Sequence, residues 1–105
     1  MEALEKTEKL NQLFELYQDL LTEKQKEYYQ LYYYEDYSLQ EIATTLSISR
    51  NAVYDQLNKV EQHLLNYEQI LKLNEKKILR LTYLNQYEHT KDEKYLKMLR
   101  KMDES

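Results

Sequence analysis

The chain contains no glycine, no proline and no cysteine. Glycine and proline supply most tight hairpin turns and positive-φ positions, so a sheet of hairpins is hard to build from this sequence. Without cysteine there is no disulfide framework, no thiolate nucleophile and no cysteine zinc site. No apolar run approaches the roughly 20 residues that a membrane-spanning helix needs. The opening "MEALEKTEKL" is acidic and has no apolar stretch of the signal-peptide kind. A cytoplasmic protein is expected.

What is present favours helices. Leu, Glu, Lys and Gln are abundant, and all are good helix formers. At 105 residues the length suits one domain. The expected class is all-α, with a helix-turn-helix core over residues 4–65 and a helical extension over 66–105.

Leu10, Leu13, Phe14, Tyr17, Leu20 and Leu21 make one apolar stripe, predicting a first helix over about residues 4–21. Thr22 with Gln25, and Ser38 with Glu41, have the spacing of capping boxes that open a second and a third helix. On the second helix Tyr28, Leu31 and Tyr32 share the expected buried side. On the third, Leu39, Ile42, Ala43 and Leu46 share another. Ser47 and Ile48 make a turn, and Ser49 caps a fourth helix starting at Arg50. Thr90 with Glu93 reads as a further box, opening a short last helix to about Lys101, with "MDES" frayed.

Val53, Leu57, Val60, Leu64, Tyr67, Leu71, Asn74, Ile78, Leu81 and Asn85 recur in steps of four and three, the period of a coiled-coil seam. The pattern predicts one helix from residue 50 to about 87, about 57 Å long at about 1.5 Å per residue. Such a rod calls for a partner along its far half: a second copy of the chain, another protein or the last helix. Asn74 either fixes the register of that seam or caps a new helix after a break.

Residues 11–33, "NQLFELYQDLLTEKQKEYYQLYY", with "DYSLQEIA" and "SRNAVYD", resemble the YlxM family of small helix-turn-helix proteins of Gram-positive bacteria. The "LT-x-x-Q" opening and "S-x-x-EIA" also resemble the DNA-binding C-terminal region of sigma factors. The likeness is good from residue 6 to about 70. It implies a sigma-like core and, from the gene neighbourhood of that family, an accessory role in the signal recognition particle pathway, with the particle's GTPase or RNA as partner. Two features depart from the pattern. The turn lacks the glycine common in such motifs, so Ser47 must take a costly conformation or the turn must differ. "DQLNKVE" is also less basic than expected.

In a helix-turn-helix the start of the second helix meets base edges. Ser49, Arg50, Asn51, Tyr54, Asp55, Asn58 and Lys59 are the residues on or beside that surface. Arg50 suits guanine and Asn51 adenine. Ser49 and the helix start suit a phosphate, and Lys24 and Lys26 another. The charge argues against a strong grip there. Net charge is −4, with six Lys or Arg against eleven Asp or Glu in residues 1–60, and nine against four in residues 69–101. Arg50 and Lys59 are cancelled by Glu41 and Asp55 between Ser38 and Val60, and phosphate contact supplies most non-specific affinity. Lys72, Lys76, Lys77 and Arg80 are the stronger candidates for an anionic partner. DNA remains the alternative ligand.

Twelve tyrosines cannot all point inward. Tyr17, Tyr28 and Tyr32 are expected in the core, while Tyr29 and Tyr33 fit either core or surface. Exposed tyrosines suit protein hot spots and stacking on unpaired bases. His63 and His89 are too far apart for a metal pair on one helical turn, and no phosphate-cradling glycine loop exists. No enzyme, metal or cofactor is expected.

Overall fold

A computed structural model of the chain describes residues 2–104. Every regular element among them is helical: α1 (Glu2–Tyr17), α2 (Glu23–Tyr29), α3 (Leu39–Leu46), α4 (Arg50–Leu71), α5 (Leu73–Thr90) and α6 (Lys94–Glu104). The chain divides into two compact units, the first ending at Ile70 and the second beginning at Leu71.

In the first unit, α1 stops at Tyr17 and a single tighter turn, Gln18–Leu20, follows. That change of winding takes Leu20 off the apolar stripe, and it is exposed, while Leu10, Leu13, Phe14, Tyr17 and Leu21 are buried as expected. Both sequence-predicted boxes form. Gln25 N–H donates to Thr22 Oγ1 at 3.1 Å and Thr22 N–H to Gln25 Oε1 at 2.9 Å. Glu41 N–H donates to Ser38 Oγ at 3.0 Å and Ser38 N–H to Glu41 Oε1 at 3.1 Å. Each box satisfies two backbone donors that helix geometry leaves unpaired.

The second helix corrects the tyrosine assignment. Tyr29 is fully buried and Tyr32 is 37% exposed. Two causes act together. First, α2 lies between two core clusters, so adjacent residues are both buried. Tyr28 joins Ile42, Ala43, Val53 and Leu57, while Tyr29 joins Leu10, Leu13, Phe14, Tyr17, Leu21, Val60 and Leu64. Second, α2 continues into a widened turn, Gln30–Tyr34, where Glu35 N–H reaches Gln30 O at 3.0 Å and Tyr37 N–H reaches Leu31 O at 2.9 Å. In so wide a turn Tyr33, four residues after Tyr29, stays on the face of Tyr29. Tyr33, not Tyr32, then packs on the core and stacks on Tyr29 at 4.5 Å between ring centroids.

The fourth helix is also shorter than its pattern. Val53, Leu57, Val60 and Leu64 are buried within the first unit's own core, so the first half of the seam is spent inside the domain. The helix then ends at Leu71. Lys72 takes left-handed angles, φ 57° and ψ 30°, and α5 begins at Leu73. The break therefore falls two residues before Asn74, which lies in the first turn of α5 and is buried, 7% exposed. Asn74 is not the cap. Lys72 stands at the cap position and its side chain makes no cap hydrogen bond.

In the second unit α5 and α6 pack together. Thr90 does not open α6. It closes α5, its hydroxyl donating to Gln86 O at 2.8 Å. Asp92 does the opening, accepting from Lys94 N–H at 3.0 Å. The helix runs on to Glu104 instead of fraying from Met102, and Ser105 lies outside the described residues.

Candidate nucleic-acid interface

The turn between α3 and α4 solves the missing-glycine problem at Ser47, which adopts φ 58° and ψ 44°. A left-handed non-glycine residue costs about 1–2 kcal/mol. Ile48 N–H donating to Ala43 O at 3.0 Å helps to hold it. Ile48 then turns inward, packing with Leu39 and Leu46 against Ile42, Ala43, Val53 and Leu57. Ser49 Oγ accepts from Ala52 N–H at 3.0 Å, so α4 starts at Arg50 with a capped end. These contacts fix α3 against the first turns of α4.

On α4, Val53, Leu57 and Val60 face the core, and Arg50, Asn51, Tyr54, Asp55, Asn58 and Lys59 are exposed. Helical geometry places Asn51, Asp55 and Asn58 at the centre of the outward face, one turn apart, with Tyr54 and Lys59 on its flanks and Arg50 at its edge. Asp55 therefore stands between the two asparagines. Arg50 and Lys59 form no ion pair among the described residues. Lys26 is already held, by Glu23 at 3.2 Å and Asp19 at 3.8 Å, and its side chain is 20% exposed. Lys24 pairs with Glu27 at 3.7 Å. The phosphate contacts that Lys24 and Lys26 suggested in sequence compete with these carboxylates.

Behind the α4 face, tyrosine hydroxyls tie the helices of the first unit together, two of them to α4 and one from α2 to α1. Tyr17 donates to Glu68 Oε1 at 2.7 Å, Tyr33 to Glu61, and Tyr29 to Asn11 Oδ1 at 2.6 Å. Burial first, then the neighbouring tyrosines and Glu61, pushes the Tyr29 hydroxyl well above its ordinary pKa of 10.0. Burial and the hydrogen bond to Glu61 do the same for Tyr33. These groups stay protonated, as donors must. They are structural ties, and sequence offered no sign of them beyond the abundance of tyrosine.

Lys72, Lys76, Lys77 and Arg80 are all exposed, and all lie in the second unit. Lys72 and Lys76 line a shallow groove with Glu75, Leu79 and Met102. Lys76 and Arg80 share a stripe one turn apart, with Lys77 beside it. Lys94, Lys97, Arg100 and Lys101, part of the positive balance of residues 69–101 in the sequence, are exposed on α6. Their spacing of three and four residues was the available signal.

Two helices joined by a tight turn, the second presenting a polar face with its apolar side in the core, define a helix-turn-helix protein. The family model described as "Putative helix-turn-helix protein, YlxM / p13 like" matches residues 4–104, and the chain belongs to that family, UPF0122. Among its relatives, a UPF0122 protein of Mycoplasma capricolum subsp. capricolum is 44% identical over 101 residues, covering 94% of this chain and 89% of the relative. The UPF0122 protein YlxM of Bacillus subtilis is 51% identical over 74 residues, 70% of this chain and 67% of that one. A UPF0122 protein of Limosilactobacillus fermentum is 59% identical over 70 residues, and the match spans 67% of this chain and 62% of the relative's length. No helix among the described residues is long and apolar enough to cross a membrane.

Proposed function

We propose that this protein is a non-catalytic accessory factor of the signal recognition particle pathway, docking on the particle's RNA or GTPase. The pathway comes from the family resemblance. The mode of action rests on one observation: Asp55 occupies the centre of the exposed α4 face between Asn51 and Asn58. A helix that reads duplex DNA needs phosphate grip around its reading residues, and a carboxylate at the centre of that face repels phosphate. Arg50, Asn51, Tyr54 and Asn58 remain able to contact bases or a protein surface. Lys72, Lys76, Lys77 and Arg80 supply an anion-attracting second unit. The runner-up is a DNA-binding transcriptional regulator.

The test is binding of the purified GTPase to the full chain, with and without the particle's RNA. The reading expects a complex with one or both, weakened by Arg50→Ala. No complex with either would end it. A second copy of the chain is the partner we read for Ile78 and Leu81 on α5, which are 52% and 50% exposed. Mass measurement in solution checks this, and a monomer at every concentration would remove it.

A further inference from the structure

The cations of α6 are sorted to one side of the helix. Tyr95, Leu99 and Met102 are half-buried, and Met102 meets Leu79, Glu75, Lys76 and Lys72 of α5 in a common groove. Those residues define the inward side. Helical geometry then places Lys94, Lys97, Arg100 and Lys101 together on the opposite, outward side, over about 10 Å of helix. Lys97, Arg100 and Lys101 form no ion pair among the described residues, whereas Lys94 pairs loosely with Asp92 at 3.9 Å. Glu104 closes the same face at its C-terminal end, and Asp103 lies on its flank.

A face this rich in unpaired cations fits a polyanion. Its chemistry also says which kind. The outward side carries no Asn, Gln, Ser or Thr, so it has no amide or hydroxyl with which to read a base edge. Its Lys and Arg side chains bond phosphate oxygens, and of the bases they suit guanine alone. A-form RNA has a deep, narrow major groove that a helix cannot enter, and is recognised through its backbone. B-form DNA admits a whole helix into its major groove, where exposed Leu96 and Met98, on the flanks of this face, would meet the phosphate-lined walls with nothing to bond them.

We propose that the outward face of α6, through Lys97, Arg100 and Lys101 with Lys94 beside them, grips the sugar-phosphate backbone of double-stranded RNA. This rests on the reading of the protein as a factor that docks on the particle, and deepens it by naming the phosphate contact that the α4 face lacks. Base or protein contact by α4 and backbone contact by α6 are then separate tasks of separate units.

The experiment uses the full chain and a fluorescein-labelled RNA hairpin with a fully paired stem, with the same stem in DNA as the second arm. Anisotropy titrations are run over a range of salt concentrations. The variant K97Q/R100Q/K101Q is expected to bind the RNA at least about tenfold more weakly at physiological salt, with a log–log salt slope shallower by about 2–3. The exchange variant K97R/R100K/K101R is expected to bind as the unmodified chain does. Far-UV circular dichroism checks that each variant is helical. Should the triple variant lose helicity, R100Q alone replaces it, with an expected change in slope of about 1. Unchanged RNA affinity in a helical triple variant overturns the α6 site and leaves the accessory reading standing. Equal loss on the DNA stem, with DNA bound as tightly as RNA, overturns the assignment to RNA. DNA preference that depends on Arg50 and not on α6 overturns the underlying reading as well.

Discussion

The Tyr17 hydroxyl donates to the Glu68 carboxylate at 2.7 Å, joining residues 51 positions apart in sequence. Tyr17 is buried at the end of α1, and Glu68 lies near the end of α4. The bond therefore closes the far side of the first unit, away from the turn that sets up the reading face. Tyr33 and Glu61 make a second tie of the same kind closer to the middle of α4.

Tyr17→Phe keeps the ring and removes the hydroxyl. Because the acceptor is charged and only partly buried, the expected loss is about 1 kcal/mol. Urea unfolding of the full chain, read by circular dichroism, measures it. A variant as stable as the parent would mean that water replaces the bond without cost.

Ser47→Gly should stabilise the protein by about 0.5–1 kcal/mol. Ser47 has φ 58°, a conformation that glycine adopts without the steric cost. The gain is reduced by the greater freedom of glycine in the unfolded chain. A lower midpoint for the glycine variant would show that the serine side chain contributes more than its backbone strain costs. The exposed α4 residues are untouched, so binding should not change.

Stability should fall as pH rises beyond about 10, the ordinary tyrosine value. The sign follows from linkage. Tyr29 and Tyr33 have folded-state values raised above 10.0, chiefly by burial. In the unfolded chain they lose their protons first, so the folded state binds more protons and is penalised as protons become scarce. The stabilisation is complete below the unfolded value and drains away above it, by at most about 1.4 kcal/mol per pH unit for each hydroxyl. Urea midpoints at about pH 9 and about pH 11 check this. Tyr33→Phe should flatten the decline, and a decline of undiminished slope in that variant would contradict the assignment.

Much of the fold could be read in the sequence because it is written in local chemistry. Thr22 with Gln25 and Ser38 with Glu41 satisfy their own helix starts, and such boxes depend on residues three apart. Leu39, Ile42, Ala43 and Leu46 repeat at the helical period, and of the two readings open at Ser47, a costly conformation or a different turn, the first holds. What escaped is where winding changes without a residue that announces it. The burial of adjacent Tyr28 and Tyr29 in two clusters, and the widened turn at Gln30–Tyr34 that follows, are marked by nothing in "EYYQLYYY". Lys72 breaks a seam whose period continues through it, in a chain with no glycine or proline to signal the stop. The exposed set from Arg50 to Lys59 followed from periodicity alone. The α6 cations showed in the sequence only as part of the positive balance of residues 69–101.

The central claim is that phosphate attraction lies outside the α4 face, leaving that face poorly suited to scanning duplex DNA. Gel-shift titration of the full chain against the particle's RNA and random duplex DNA, each at low and at physiological salt, tests it most directly. The account predicts that the RNA complex survives physiological salt while the DNA complex dissolves. A stronger complex with duplex DNA, kept at physiological salt and abolished by Arg50→Ala, would contradict it.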